Sequence, residues 1–248
     1  MPHFSVNGRR LFYREKGSGP LLLLLHGNTS SSACHEGEIE HFSDRYHVVA
    51  MDAFGVGQSE RSAVWPHQWW LEMAHDAAGL VDILGEGPAI VMGPSGGGVT
   101  ALLMAIHRPE HVRAVIADSC VETWTPEEVS GLIADRSRMS LGQIAFWQQA
   151  QGDDWHAVVQ SDTAMIRSWQ PTGLNFYDGR LGEIRSPVLL TDSLADELLV
   201  RIAEQVARMC QSIPDCRALL TNSGRHPLMW SRPDEFRRAA DSFLASMA

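Results

Sequence analysis

The sequence AIVMGPSGGG at residues 89–98 joins a short apolar run to a glycine-rich turn. Residues 93–97 form a G-x-S-x-G motif, which follows a strand predicted at 89–92 and opens a helix predicted to begin near Gly98. A sharp strand–turn–helix connection of this kind needs glycines on both sides of the serine, and it exposes the Ser95 hydroxyl above the sheet. The N-terminus of the following helix favours negative charge that develops there. The motif therefore predicts an α/β protein with a nucleophilic serine.

Apolar runs and helical patterns alternate along most of the chain. Strands are predicted at residues 21–25, 47–51, 89–92, 112–117, 188–191 and 216–220, and helices at 67–84, 99–107, 196–209 and 233–247. Near the N-terminus, Asn7-Gly8 between two further strand patterns indicates a hairpin, because both turn residues accept positive φ. This alternation predicts an α/β fold with a mostly parallel central sheet that is flanked by helices on both faces.

One segment, residues 121–181, breaks the alternation, since it has helical patterns and no convincing strand. A helix start at Thr125-Pro126 combines an N-cap residue with a proline at the first helical position. We predict that this segment is a helical lid inserted into an α/β core, and that the two parts of the core are residues 1–120 and 182–248.

Tryptophan is concentrated in the predicted lid, which holds four of the eight in the chain. Indoles offer a large apolar contact area, so they can either pack the lid onto the core or line a substrate pocket. We expect Trp124, Trp147 and the more C-terminal Trp230 to bind substrate, in an apolar pocket to which Met139 and Met165 contribute.

The Ser95 hydroxyl is a weak nucleophile and needs a general base. The chain has 11 histidines, so position must select among them. His226 lies in the loop after the last predicted strand, and the carboxyl ends of parallel strands meet at the same edge of the sheet as the Ser95 turn. We therefore predict that His226 is the base. His26, directly after a buried strand, is expected to orient the turn that follows it.

The base in turn needs a carboxylate that selects its tautomer and stabilises the imidazolium. Asp196 follows a predicted strand and lies between the nucleophile and the base in the chain, which is the order expected for this architecture. Asp192, nearer to the end of the same strand, and Asp118, at the end of another, are alternatives. Asp196 could also act only as the N-cap of a helix.

The oxyanion that forms on attack at a carbonyl needs two preorganised N–H donors. Gly96 directly follows the nucleophile, so its backbone N–H is one candidate. The second donor should come from the loop after the strand at 21–25. We expect the backbone N–H of Asn28 to fill this role, with Thr29 as the alternative.

Composition and charge exclude several classes of protein. Hydrophobic residues make up 44% of the 248 and charged residues 20%, which allows a sizeable core. The formal charge of −10 comes without any basic stretch, so we expect no nucleic-acid partner. The longest strongly apolar run, Leu21–Leu25, is far shorter than the roughly 20 residues of a membrane helix, so we expect no membrane partner.

The N-terminus and the cysteines predict where the protein resides. Residues 1–5 lack the cationic flank and apolar region of a secretory signal, so we expect a cytoplasmic protein. The four cysteines have no metal-binding spacing and are expected to be reduced thiols, with a Cys210–Cys216 bridge as the less favoured alternative. No HExxH motif is present either, so neither a metal nor a cofactor is expected.

These motifs together resemble those of the α/β-hydrolase-fold serine hydrolases. The resemblance spans nearly the whole chain in order, and it is carried by His26-Gly27, DAFGVGQS at 52–59, GPSGG at 93–97, PVLL at 187–190 with Asp196, and Gly224-Arg225-His226. It implies the α/β-hydrolase fold, with 52–59 as a structural turn without a chemical role.

Within the family, the sequence is most similar to the valacyclovir-hydrolase-like branch. An acidic residue directly follows the nucleophile in that branch, whereas Gly96 stands at this position here. The resemblance therefore does not carry over a preference for amino-acid esters.

The resemblance implies that a small or medium carboxylic ester is cleaved through an acyl-enzyme. The partner expected is thus a small-molecule ester substrate. The same triad also serves the hydrolysis of amides, lactones and carbon–carbon bonds, which stay alternatives, as does a non-catalytic ligand-binding protein on this fold. The sequence leaves the oligomeric state open.

Overall fold

An eight-stranded sheet forms the centre of the computed structural model, which describes residues 2–247. The strands, in chain order, are β1 (His3–Val6), β2 (Arg9–Lys16), β3 (Leu21–Leu25), β4 (His47–Asp52), β5 (Ala89–Pro94), β6 (Val112–Asp118), β7 (Thr123–Trp124), β8 (Leu174–Asn175), β9 (Val188–Ser193) and β10 (Cys216–Thr221). The large sheet has the order β1-β2-β4-β3-β5-β6-β9-β10, while β7 and β8 pair with each other. Within it, β2 is antiparallel to β1 and β4, and all other neighbours are parallel. The predicted mostly parallel sheet is confirmed.

Helices cover both faces of this sheet. In chain order they are α1 (Glu36–Phe42), α2 (Trp69–Leu84), α3 (Gly96–His107), α4 (Pro126–Ser137), α5 (Leu141–Gln151), α6 (Trp155–Arg167), α7 (Ile202–Ser212), α8 (Leu228–Ser231) and α9 (Pro233–Ala245). Three short 3₁₀ segments lie at Ser32–His35, Pro109–His111 and Arg180–Glu183. Among residues 2–247, no helix is both long and apolar enough to cross a membrane.

The leucine run of β3 shows how the sequence determines this layering. Leu21, Leu23 and Leu25 belong to the apolar cluster that includes α2, α3 and α7. Leu22 and Leu24 belong to a second cluster, with α1 and α9. Successive side chains of a strand point to opposite faces, so a continuous apolar run is what a strand buried on both faces requires.

Most predicted elements agree with the structure within a few residues, and the largest difference is at α7. The helix predicted from residue 196 begins at Ile202. One carboxylate oxygen of Asp196 accepts hydrogen bonds from the backbone N–H groups of Leu198 and Leu199, both at 2.8 Å, which forms a turn instead. Arg201 then has φ of 58°, in the left-handed region, so a helix cannot run through it.

The segment between β6 and β9 contains α4, α5 and α6, and we call residues 121–181 the helical insertion. The predicted helix start is confirmed, since Thr125 and Glu128 form a reciprocal capping box at the N-terminus of α4. The expectation that this segment holds no strand is wrong, because β7 and β8 form a two-residue ladder at its two ends. The division of the chain into a lid and two core parts stays a prediction.

The expectation of four reduced cysteines is also wrong, because Cys210 and Cys216 form a disulfide. Cys210 lies in the last turn of α7 and Cys216 begins β10, and the short connection between them brings their Cα atoms to 5.3 Å. Cysteines at this separation can be bridged without moving the backbone. Cys34 and Cys120 are free thiols.

The N-terminus of α3 lies directly against the end of β3. A Cβ atom added to Gly97 would overlap the backbone carbonyl oxygen of Leu25, and one added to Gly93 would overlap the same oxygen. Both clashes are with backbone, which cannot rotate away as a side chain can. The two outer glycines of the motif therefore allow the helix and the strand to approach closely.

This close approach predicts a large loss of stability for Gly97→Ala. We expect about 3 kcal/mol or more, because the backbone must shift to relieve the overlap. At about 2–4 °C per kcal/mol for a chain of this size, the melting temperature should fall by about 6–12 °C in a calorimetric scan. The matched control is Gly131→Ala in α4, where the added Cβ would meet nothing within 4 Å. Alanine favours a helix over glycine, so this control should not lower the melting temperature. Similar decreases for both variants would contradict the packing described.

Candidate active site

Ser95 occupies the sharp turn between β5 and α3. Its φ of 55° and ψ of −124° are unusual for a residue with a side chain, and such a conformation costs about 1–3 kcal/mol unless the surroundings support it. The Ser95 N–H donates to the carbonyl of Asp118 at 2.8 Å, and its carbonyl accepts from the N–H of Val99 at 3.0 Å. Hydrogen bonds on both sides therefore hold the turn that the motif predicts.

The loop after β3 lies beside this turn. A Cβ atom on Gly27 would be 3.2 Å from the Cβ of Ser95 and 3.8 Å from the N atom of Gly96. Gly96 is the first residue of α3, where backbone N–H groups have no partner within the helix. Asn28 follows Gly27 in this loop, so the two predicted oxyanion donors belong to the two segments that meet at Ser95.

His26 stabilises this loop, as predicted. It is fully buried, its Nδ1 lies 2.8 Å from the carbonyl oxygen of Gly27, and its Nε2 accepts from the N–H of Ala53 at 3.0 Å. Burial lowers the pKa of the imidazole, which favours the neutral tautomer with one donor and one acceptor nitrogen. The ring thus joins the loop after β3 to the loop after β4 and is not available for proton transfer.

His226 is hydrogen-bonded to only one of the three candidate acids. Its Nδ1 is 2.7 Å from a carboxylate oxygen of Asp196, whose side chain is 0% exposed. The other oxygen of Asp196 accepts the two N–H bonds described above. Both oxygens of the carboxylate therefore have hydrogen-bond partners. Because Nδ1 of His226 donates to Asp196, its Nε2 is free to act as a base.

Asp118 is used differently, although it lies at a strand end as the alternative required. Its carboxylate accepts from the hydroxyl of Thr191 at 2.6 Å and from the N–H of Met229 at 3.0 Å. The neighbouring Ser119 hydroxyl accepts from the N–H of Leu228 at 2.8 Å. The end of β6 therefore holds α8, which follows directly after the His226 loop. Burial raises the pKa of Asp118 to about 7.

Asp192 is buried and has an incomplete set of partners. One oxygen accepts from the N–H of Ser193 at 2.7 Å, and the other has no hydrogen-bond partner. Burial, reinforced by the nearby charges of Asp118 and Asp196, raises its pKa to about 9. Despite this concentration of carboxyls, no three His, Cys, Asp or Glu side chains among residues 2–247 are grouped as metal ligands.

A cavity of about 320 Å³ opens beside Ser95. It is lined by Gly27, Asn28, Thr29, Ser30, Pro94, Ser95, Trp124, Leu132, Asp135, Arg136, Gly142, Gln143, Phe146, Trp147, Leu198, Leu199, His226, Pro227 and Trp230. The structure thus brings the predicted nucleophile, the predicted base and all three predicted substrate-binding tryptophans to one space. Met139 and Met165 do not line it, so their expected contribution is wrong. Met139 is partly exposed after α4, and Met165 packs in the core.

Sequence reasoning missed the polar network that joins the helical insertion to this site. Arg136 of α4 forms an ion pair with the fully buried Asp162 of α6. Asp162 also accepts from the side-chain amide of Asn28 at 2.5 Å, and the amide oxygen of Asn28 accepts from the indole N–H of Trp70 at 2.9 Å. The network thereby holds Asn28 in place. Leu132 and Arg136 are one turn apart on α4 and both line the cavity, so helical spacing could have placed Arg136 there, but no sequence signal relates it to Asp162.

The same network explains why Gly96 has no side chain. A Cβ atom there would overlap the amide oxygen of Asn28 and lie 2.8 Å from the indole nitrogen of Trp70. An acidic residue directly after the nucleophile would therefore displace both groups. The predicted likeness to the valacyclovir-hydrolase-like branch stays a prediction.

Known proteins share this fold. A sequence profile of the alpha/beta hydrolase fold matches residues 20–141. The 2-(acetamidomethylene)succinate hydrolase of Mesorhizobium japonicum is 37% identical over 134 residues, which are 54% of this chain and 46% of that protein. The putative carbamate hydrolase RutD of Agrobacterium fabrum is 27% identical over 263 residues, covering 98% of this chain and 97% of its own. The crystal structure of an E-2-(acetamidomethylene)succinate hydrolase superposes with a TM-score of 0.80 at 23% identity, covering 98% of each chain.

The contact between Asp196 and His226 predicts which carboxylate matters for turnover. Asp196→Asn should lower kcat by about 10³- to 10⁴-fold, because the amide favours the wrong imidazole tautomer. Asp118→Asn and Asp192→Asn should each have a much smaller effect, since neither carboxyl is hydrogen-bonded to His226. The three variants are compared for release of a chromogenic alcohol after circular dichroism has confirmed folding. A larger loss in either of the other two would assign the acid differently.

The raised pKa of Asp192 predicts a pH-dependent gain in stability for Asp192→Asn. In the unfolded chain this carboxyl loses its proton near pH 4, whereas the folded protein holds it up to about pH 9. The folded state thus binds more protons in this window, and the stability contribution of Asp192 falls as the pH rises. The melting temperature of the variant should exceed that of the wild type by more at pH 8 than at pH 5. The exposed Asp153→Asn serves as the control, and a gain that does not depend on pH would contradict the raised pKa.

Proposed function

Because this chain has the α/β-hydrolase fold and its relatives are hydrolases, we propose that it is a serine hydrolase with the triad Ser95, Asp196 and His226. The hydrogen bond between Asp196 and Nδ1 of His226 carries this proposal, together with the cavity that Ser95 and His226 share. A non-catalytic protein on this fold would have no need of a buried carboxylate on that imidazole. The observed pair thus favours an enzyme over a binding protein.

The geometry supports a two-step mechanism. The Ser95 hydroxyl attacks the carbonyl carbon, and Nε2 of His226 takes up its proton. Asp196 stabilises the imidazolium that forms, and the N–H groups of Asn28 and Gly96 hold the oxyanion. His226 then protonates the leaving group, which departs. Water, deprotonated by the same imidazole, hydrolyses the acyl-enzyme and restores Ser95.

A small or medium carboxylic ester is the proposed substrate. A cavity of about 320 Å³ is at the lower end of the range typical of ligand pockets. Its walls are largely apolar, through Trp124, Trp147, Trp230 and Phe146. The second candidate reaction is hydrolysis of an amide or a carbamate, since the relatives described above are named for an acetamido compound and a carbamate. Lactones and carbon–carbon bonds need the same triad and stay alternatives.

Replacement of the nucleophile gives the most direct test of this proposal. Ser95→Ala should lower kcat by at least about 10⁴-fold, because no other group forms the acyl-enzyme. Folding should be retained, since the change removes one hydroxyl. Hydrolysis of 4-nitrophenyl esters measures the rate, and an organophosphonate with mass spectrometry identifies the labelled serine.

The matched control is Ser18→Ala, which changes an exposed serine in the loop before β3. This variant should keep both its activity and its labelling at residue 95. Full activity in Ser95→Ala, or labelling at another serine, would overturn the proposed function.

A further inference from the structure

Among residues 2–247, Arg136 is the only arginine or lysine that lines the cavity beside Ser95. It lies near the end of α4, and its side chain is 14% exposed. Its guanidinium carries a permanent positive charge and five N–H donors in a planar arrangement. A buried cation is costly unless it is paired and its donors are hydrogen-bonded, so the partners of each donor matter.

The pairing of Arg136 leaves some of these donors free. Nη1 is engaged with Asp162, whereas Nε and Nη2 make no hydrogen bond with any described residue. Neither atom is a buried polar atom that lacks a hydrogen-bond partner, so both are accessible to solvent. Arg136 also lines the cavity beside Ser95.

The surroundings hold this guanidinium in place without using its remaining donors. Asp162 is fully buried and is itself held by the side-chain amide of Asn28 at 2.5 Å. Asp135, the acidic residue that lines the cavity next to Arg136, is occupied by Arg138 at 3.1 Å and by Gln143 at 2.9 Å. The free N–H groups of Arg136 are therefore unsatisfied donors on a residue that a ligand in this cavity would meet.

We propose that Arg136 is a specificity-determining residue, which binds a carboxylate carried by the substrate. The inference rests on the proposed function, since it concerns the cavity of the same nucleophile. Adjacent guanidinium N–H groups match the two oxygens of a carboxylate, and such charge-assisted bonds are among the strongest that proteins make. The tryptophans then contact the apolar part of an acid-bearing substrate while Arg136 holds its charged end.

Two matched pairs of esters test this proposal. Mono-4-nitrophenyl glutarate and 4-nitrophenyl pentanoate have acyl chains of equal length and differ in a terminal carboxylate. 4-Carboxyphenyl butanoate and phenyl butanoate place the same difference on the leaving group. We expect the wild type to prefer the charged ester in at least one pair by kcat/KM, measured above the rate of Ser95→Ala.

Arg136→Gln should then lower kcat/KM for that charged ester by about 10- to 100-fold, mainly through KM, as loss of a charge-assisted hydrogen bond predicts. Its neutral counterpart should fall by a clearly smaller factor, because that loss reports only the disturbance of Asn28 through Asp162. The ratio of the two kcat/KM values is therefore the readout. The control is Arg167→Gln on α6, which removes an exposed charge and should change neither ester. A merely structural ion pair would instead lower both members of a pair equally, and that result would overturn the inference.

A second variant covers the case in which the unpaired Asp162 prevents Arg136→Gln from folding. The double variant Arg136→Gln/Asp162→Asn removes both buried charges, and it should show the same selective loss. Binding of glutarate, measured by calorimetry, tests Arg136 without turnover. The wild type should bind this dianion about 10- to 100-fold more tightly than either variant.

The outcomes separate the two proposals. If Ser95→Ala retains the activity, the proposed serine hydrolase fails, and if no ester is cleaved, the proposed ester substrate fails. In either case the glutarate measurement alone decides the role of Arg136. If Ser95→Ala is inactive but charged and neutral esters respond alike, or if glutarate binds the variants as tightly as the wild type, Arg136 does not select a carboxylate and the serine hydrolase stands.

Discussion

The site depends on the contact between the start of α3 and the carbonyl oxygen of Leu25 at the end of β3. Gly93 and Gly97 allow this contact because neither has a side chain to hold the two backbones apart. The approach lets Ser95 take its left-handed φ of 55° and brings the Asn28 loop next to it. One steric constraint thus places a strained serine, a helix N-terminus and a neighbouring loop at the same edge of the sheet.

Three aspartates lie at that edge of the sheet, and their different surroundings give them different roles. Asp196 has partners for both oxygens and contacts His226. Asp118 also has partners for both oxygens, but these are Thr191 and the backbone of α8, so it supports the helix that follows His226. Asp192 has one oxygen unpaired, and its pKa is raised to about 9, so it is uncharged at neutral pH. A single carboxylate therefore acts on the imidazole.

The helical insertion contributes more than apolar cover. Trp147 donates through its indole N–H to the hydroxyl of Thr29 at 3.1 Å, and Asp162 accepts from Asn28. The helices that close the cavity are therefore hydrogen-bonded to the loop that carries a predicted oxyanion donor. A substitution in the helical insertion should therefore alter the geometry at Ser95 through this loop, because the members of a buried polar network depend on one another.

The sequence by itself predicted the sheet and the turn at Ser95, because strand alternation and glycine spacing are local signals. Chain order selected His226 as the predicted base. It also ranked Asp196 first among the acids, although only the structure shows its 2.7 Å contact with His226. Tertiary structure alone decided the partners of Arg136 and the pairing of Cys210 with Cys216. Asn28 and Asp162 are 134 residues apart, so no periodicity relates them. Such contacts depend on how the helices pack on the sheet, and packing is a property of the folded chain as a whole.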